Sequence, residues 1–254
     1  MRILLSNDDG IFAPGLMAMY RALAEDADVD VVAPEAVQSG GSHSITIRRP
    51  VMWRRVHVAE VFHGTSVDGT PADCVKLAVG ALLPQRPDLV VSGINAGLNT
   101  GIHAIYSGTV AAAVEGAIQG LPAIAVSLKL YRDMDFAAAA KIAKSVIDQI
   151  VAKGLSPGQV CNINIPELKP DWPRGIHVVP QSIQIPEDRI EKRTDPNGGE
   201  YYWLAGDFGE TDDRMETDLH AVREGYVSIT PIQFNLTDIP LLAQMQSWTF
   251  SDAW

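Results

Sequence analysis

Cysteine is nearly absent from the chain: Cys74 and Cys161 are the only two in 254 residues. They stand in unrelated contexts without metal-ligand spacing, which excludes a disulfide framework or a cysteine-held zinc site and predicts two buried, reduced thiols. Basic residues are also scarce, 20 Lys and Arg against 31 Asp and Glu, a net charge of -11. Such a chain has no basic stripe to neutralise a phosphate backbone, so no nucleic-acid polymer is expected as its main partner. No apolar run approaches the roughly 18 residues that span a bilayer, so no membrane partner is expected either. Missing too are GxGxxG after the first apolar run, GxxxxGK[ST] and HExxH, the fingerprints of a dinucleotide cofactor, a phosphate-binding P-loop and a helical zinc protease. The first apolar run starts directly behind Arg2, leaving no room for a leader, and a cytoplasmic protein is expected.

What is present reads as alternating strands and helices. Arg2 to Ser6 is a short apolar run of the kind buried on both faces of a sheet, and it stops abruptly at Asn7-Asp8-Asp9-Gly10. A helix from Pro14 and a β-branched run, Val29 to Ala33, complete a unit of crossover size. Loose alternation over Ser44 to Ile47 and Val51 to Phe62 predicts a β-excursion. Thr70 and Pro71 open a helix to Leu82, so Val67-Asp68-Gly69-Thr70 reads as a turn and helix cap rather than a phosphatase motif. Strands follow at Asp88–Ser92, Ala123–Leu128 and Val160–Ile165, with helices at Val110–Ile118 and Phe136–Ala152. The expected fold is α/β, a Rossmann-like, doubly wound, mainly parallel sheet.

From about residue 180 the character changes. Residues 181–209 mix charge, Pro, Gly and aromatics around a turn at Asp195 to Gly199, which predicts a projecting hairpin. A strand at Tyr226–Pro231, a short helix at Ile239–Met245 and an apolar tail (Trp248, Phe250, Trp254) come after it. The division expected is a catalytic core over 1–180 and a hairpin and C-terminal oligomerisation region over 181–254. Exposed aromatic and apolar side chains there point to association with further copies of the chain.

Polar clusters follow three of the predicted strands: Asp8-Asp9, Ser39-Gly40-Gly41-Ser42, and Asn95 through Thr109. In a parallel sheet such loops emerge at one edge and converge. Two carboxylates with hydroxyl and amide oxygens suit Mg²⁺, Mn²⁺ or Ca²⁺ rather than zinc. Ser107-Gly108-Thr109 opens a helix whose free N–H groups can receive phosphate. Read singly, the aspartates also suit a turn, the asparagines left-handed turns beside glycine, and Ser107 or Thr109 a plain helix cap.

Together these motifs closely resemble the SurE family of survival-protein nucleotidases. The carriers are LLSNDDG at 4–10 with Pro14-Gly15, QSGGSHSIT at 38–46, GTPADCV at 69–75, SGINAGLNTG at 92–101, YSGTVAAAVEG at 106–116 and TDLHAVREGYVSITPI at 217–232. The resemblance implies a phosphatase acting on nucleoside 5′- and 3′-monophosphates, and in some members on short polyphosphate, with one divalent cation (Mg²⁺ or Mn²⁺) per subunit. By position it assigns Asp8, Asp9, Ser39 and Asn95 to the metal, and Asn99, Ser107, Gly108 and Thr109 to the phosphate; it also gives Asp8 the catalytic role, either positioning and deprotonating the water or forming a covalent aspartyl-phosphate. It also implies a homodimer or homotetramer. Gln38 stands where many relatives carry a basic residue. The alternative is a non-catalytic sensor that uses the same loops to hold a metal and a nucleotide.

Overall fold

The computed structural model describes residues 1–184, 187–207 and 216–251. Nine strands form one sheet in the order β3-β4-β2-β1-β5-β6-β7-β11-β8. In chain order these are β1 (Arg2–Ser6), β2 (Asp28–Pro34), β3 (Met52–Val58), β4 (Phe62–Asp68), β5 (Leu89–Ala96), β6 (Ala123–Leu128), β7 (Val160–Ile165), β8 (Ile176–Val178) and, after a separate hairpin, β11 (Val227–Ile232). From β4 through β7 every pairing is parallel, while β3 and β11 run antiparallel to β4 and β7. The order reverses at β1, which lies between β2 and β5.

Strand pleating explains why helices cover both faces. On β1, Ile3 and Leu5 point into one core with Leu16, Met19 and Leu23 of α1 (Pro14–Leu23) and with Ala143 and Ile147 of α5 (Phe136–Ala152). Leu4 points the other way, into a second core with Val75 of α2 (Pro71–Leu77) and with Val110, Ala113 and Ala117 of α4 (Gly108–Ile118). Side chains alternate across a strand, so a continuous apolar run feeds two cores at once. The small residues of α4 let it lie close to the sheet.

Most of the sequence reading holds: the sheet is doubly wound and mainly parallel, and both cysteines are buried and free. Differences are local. Ser44–Ile47 forms no strand, because its polar groups are taken by the start of α2: Thr46 N–H donates to Asp73, and the Thr70 hydroxyl to Ser44 O. The excursion is instead the pair β3 and β4, and β4 joins the main sheet beside β2. The expected helix over 71–82 is helical to Leu77 and passes into a π-turn over Ala78–Leu82. β8 and the short helices α3 (His103–Tyr106) and α6 (Asp218–Arg223) were not anticipated; they are too short for periodicity to reveal.

The hairpin consists of β9 (Glu187–Thr194) and β10 (Glu200–Asp207), paired with each other and separate from the main sheet. Residues 185, 186, 208 and 209 of the expected hairpin, and Trp254 of the apolar tail, lie outside the described residues. β11, from the 181–254 stretch, inserts between β7 and β8 in the main sheet. The last helix, α7 (Ile239–Met245), buries none of its residues. Among the described residues, no helix is long and apolar enough to cross a membrane.

Candidate active site

The loops after β1, β2 and β5 meet at the carboxyl edge of the sheet, beside the reversal of strand order, the place where open α/β sheets build ligand sites. The turn after β1 is closed from within, with Asn7 Nδ2 donating to Gly10 O at 2.9 Å. Asp8 O accepts the Gln38 N–H at 2.8 Å, which brings the Ser39 loop alongside. That loop is also fastened to α3, because Ser42 donates its N–H to Tyr106 O and its hydroxyl to Ile105 O. The β5–β6 register shifts between Ser92 and Asn95, a bulge that resets the end of β5. Gly93 makes this possible: at φ +132, a Cβ there would lie 2.2 Å from Val126 O.

These elements line a cleft of about 710 Å³ that includes Asp8, Asp9, Ser39, Asn95, Asn99 and Ser107. Gly108 and Thr109 sit directly behind it, buried. Thr109 donates its hydroxyl to Asp8 Oδ1 at 2.5 Å. A side chain at Gly108 would place its Cβ 2.7 Å from that of Asp8, so only glycine lets the start of α4 approach the carboxylate this closely. All eight residues assigned from the sequence are therefore brought together. They do not all face the cleft in the same way: Thr109 is wholly buried with its hydroxyl engaged on Asp8, and Ser107 Oγ caps α4 by accepting the Val110 N–H at 3.1 Å.

Asn99 is anchored from beneath. Its Nδ2 donates to Ser127 Oγ and its N–H to Asn164 Oδ1, both at 2.8 Å, and its carbonyl accepts Asn162 Nδ2 at 2.8 Å. Ser127, Asn162 and Asn164 lie on β6 and β7, and the sequence reading gave them no role. Polar residues within otherwise apolar strands (AIAVSL, VCNINI) were the available signal. Lys129, Tyr106, Leu130, Leu204 and Leu219 also line the cleft, as does His103. Lys129 follows β6 at the same sheet edge and could have been found on that ground.

The electrostatics single out Asp8. Burial raises its carboxyl most, the Thr109 hydroxyl opposes that rise, and neighbouring Asp9 adds to it, leaving the group at about 6. Burial raises Asp9 as well, against a hydrogen bond from the Ala96 N–H. Two adjacent, desolvated carboxylates of this kind favour a cation between or beside them. The donor set fits a hard divalent ion. Asn95 uses its Nδ2 on Gly97 O at 2.8 Å, which leaves Oδ1 as the atom with accepting capacity to join two carboxylates and the Ser39 hydroxyl. Among the described residues there is no group of three or more His, Cys, Asp or Glu able to hold a metal, so the side-chain hydroxyl and amide oxygens of Ser39 and Asn95 would have to complete such a site.

The family model described as "Survival protein SurE" matches residues 3–188. The chain belongs to the SurE family. Among curated relatives, "5'-nucleotidase SurE" of Heliobacterium modesticaldum is 43% identical over 249 residues, covering 98% of this chain and 92% of that one. "5'-nucleotidase SurE" of Rhodopirellula baltica is 46% identical over 249 residues, 98% of each chain. The crystal structure of the SurE protein from Aquifex aeolicus superposes with a TM-score of 0.84 at 38% identity, covering 97% of this chain and 98% of that one.

Proposed function

We propose that this SurE-family chain hydrolyses nucleoside 5′-monophosphates to nucleoside and inorganic phosphate, with one Mg²⁺ or Mn²⁺ per subunit, and accepts 3′-monophosphates and short polyphosphate as further substrates. The observation that carries this reading is the convergence on one cleft of a raised, buried carboxyl (Asp8) and the start of α4. The named activity of the relatives supports it.

Asp8, Asp9, Ser39 and Asn95 would hold the cation, which when bound stabilises the charge that develops on the phosphoryl oxygens. Asp8 orients the attacking water and accepts its proton. Without an ion, burial raises the Asp8 carboxyl above the ordinary aspartate range, and the cation it would help to hold would keep it ionised at neutral pH. Thr109 fixes the Asp8 rotamer through its hydroxyl. Asn99, Ser107, the helix start at Gly108 and Thr109, and Lys129 provide the polar and positive surroundings of the phosphoryl group. The leucines and Tyr106 of the cleft offer the nucleoside an apolar wall.

We assign the catalytic groups to 1–180, with Leu204 and Leu219 adding to the cleft wall, and subunit association to the hairpin and C-terminal region, giving a homodimer or homotetramer in the cytoplasm. The test is phosphate release from a panel of 5′- and 3′-nucleotides and tripolyphosphate with Mg²⁺ or Mn²⁺. Release is expected to be greatest with 5′-monophosphates. Nucleotide binding without release under every metal would replace the enzyme with a sensor.

A further inference from the structure

Asp218, at the start of α6, is wholly buried although it carries a carboxylate. Its Oδ2 accepts the Gly101 N–H at 2.9 Å, and its Oδ1 accepts the N–H groups of Ser182 at 2.9 Å and Leu219 at 2.8 Å. Its own N–H donates to Pro180 O at 2.9 Å. Gly101 is held a second time, since Gln181 Nε2 donates to its carbonyl at 2.6 Å. Gly101 stands two residues after Asn99 in the loop that follows β5, while 180–182 is the segment that leads toward the hairpin.

A carboxylate withdrawn from water is retained only where donors replace the water on its oxygens. Here both oxygens face main-chain N–H groups, so an acceptor-only side chain is required. An asparagine of the same shape would turn an NH₂ onto one of those N–H groups, and a shorter residue would leave them unsatisfied. This geometry joins three stretches far apart in sequence.

We infer that Asp218 is a positioning residue for the phosphate side of the cleft, holding the Asn99–Gly101 loop in place and tying it to the base of the hairpin. The inference rests on the reading of Asn99 as a phosphate contact. The hydrogen bonds of Asp218 to Gly101, Ser182 and Leu219 are separate from those of Asp8 to Thr109 and of Asp9 to Ala96, so the metal side is expected to survive its loss. Its loss should separate two affinities that a general loosening would lower together.

The test uses the full chain and its Asp218→Asn variant, with Mn²⁺ uptake followed by electron paramagnetic resonance and inorganic phosphate binding to the Mn²⁺-loaded protein by calorimetry. Phosphate affinity should fall by about tenfold or more, while Mn²⁺ affinity stays within about threefold. Unchanged phosphate affinity, or an equal loss of both, overturns the inference alone. A wild-type chain that takes up Mn²⁺ but no phosphate overturns the reading of the site as well. Should Asp218→Asn not fold, Gln181→Ala cuts the neutral tie to the same glycine and should weaken phosphate by about threefold; no change in that variant overturns the inference too.

Discussion

The carboxyl edge of the sheet and the C-terminal tail use their side chains in opposite ways. At the edge, polar groups are withdrawn from water: Asp8, Asn99, Ser107 and Thr109 are all 7% exposed or less. In the tail, apolar groups stand in water, with Leu236 95% and Phe250 67% exposed. The first arrangement costs folding free energy unless partners replace the water, as they do for Asn99, Ser107 and Thr109, and on the proposed reading it serves the chemistry at Asp8. The second makes sense for a surface that another copy of the chain covers. On the reading proposed above, function is built where the single chain is already complete, and assembly where it is not.

The sharpest way to break this contrast is at Asp8. Asp8→Asn keeps the shape but removes the proposed base and metal ligand, so turnover should fall by about three orders of magnitude or more, while circular dichroism and melting temperature hold or improve because a buried charge is gone. A variant that unfolds would mean that Asp8 serves the fold rather than the chemistry. Next in size is Gly108→Ala. Its Cβ must displace the Asp8 carboxylate or the start of α4, with an expected activity loss of about a hundredfold and a destabilisation of about 1–3 kcal/mol in urea melts.

Glu115 sharpens the contrast from within the core. It is buried on α4, and burial alone would raise its carboxyl, but hydrogen bonds from His43, Lys76 and Gln119 outweigh that and bring it down to about 2. Its hydrogen bond with the His43 ring, at 2.9 Å, fastens the loop that carries Ser39. A folded-state pKa below the unfolded one means that the stabilisation is full above the ordinary glutamate range. It is lost as pH falls from about 5 toward 2, to a total of about 3 kcal/mol. Glu115→Gln should flatten that part of the stability–pH curve, read by urea melts at stepped pH. The smallest effect on the single chain is expected from Leu242→Glu, on the exposed face of α7: under about 0.5 kcal/mol in a monomer melt, yet a fall to single-chain mass in light scattering.

Local signals carried the elements well. Continuous apolar runs gave β1, β6 and β7, and Thr70-Pro71 with Asp73 gave the start of α2, where the structure has a full capping box. The polar clusters of the proposed site stood out because they follow strands that end at one edge, whereas the assignment of single residues to metal or phosphate came from the resemblance to the SurE family. The supports beneath them were hidden, since their partners are distant in sequence: Asn162 with Asn99, Glu115 with His43, Asp218 with Gly101. Asp218 after Thr217 reads as an ordinary helix start, and only the folded chain brings it to Gly101. Glu115 did leave a trace, as the one charge in the small apolar helix VAAAVEGAI.

The most direct test of the central claim is phosphate release from adenosine 5′-monophosphate by chelator-treated protein, before and after Mn²⁺ is restored. The account predicts no release without the ion and full release as the ion approaches one per chain. Equal release in the presence and absence of the chelator would contradict it.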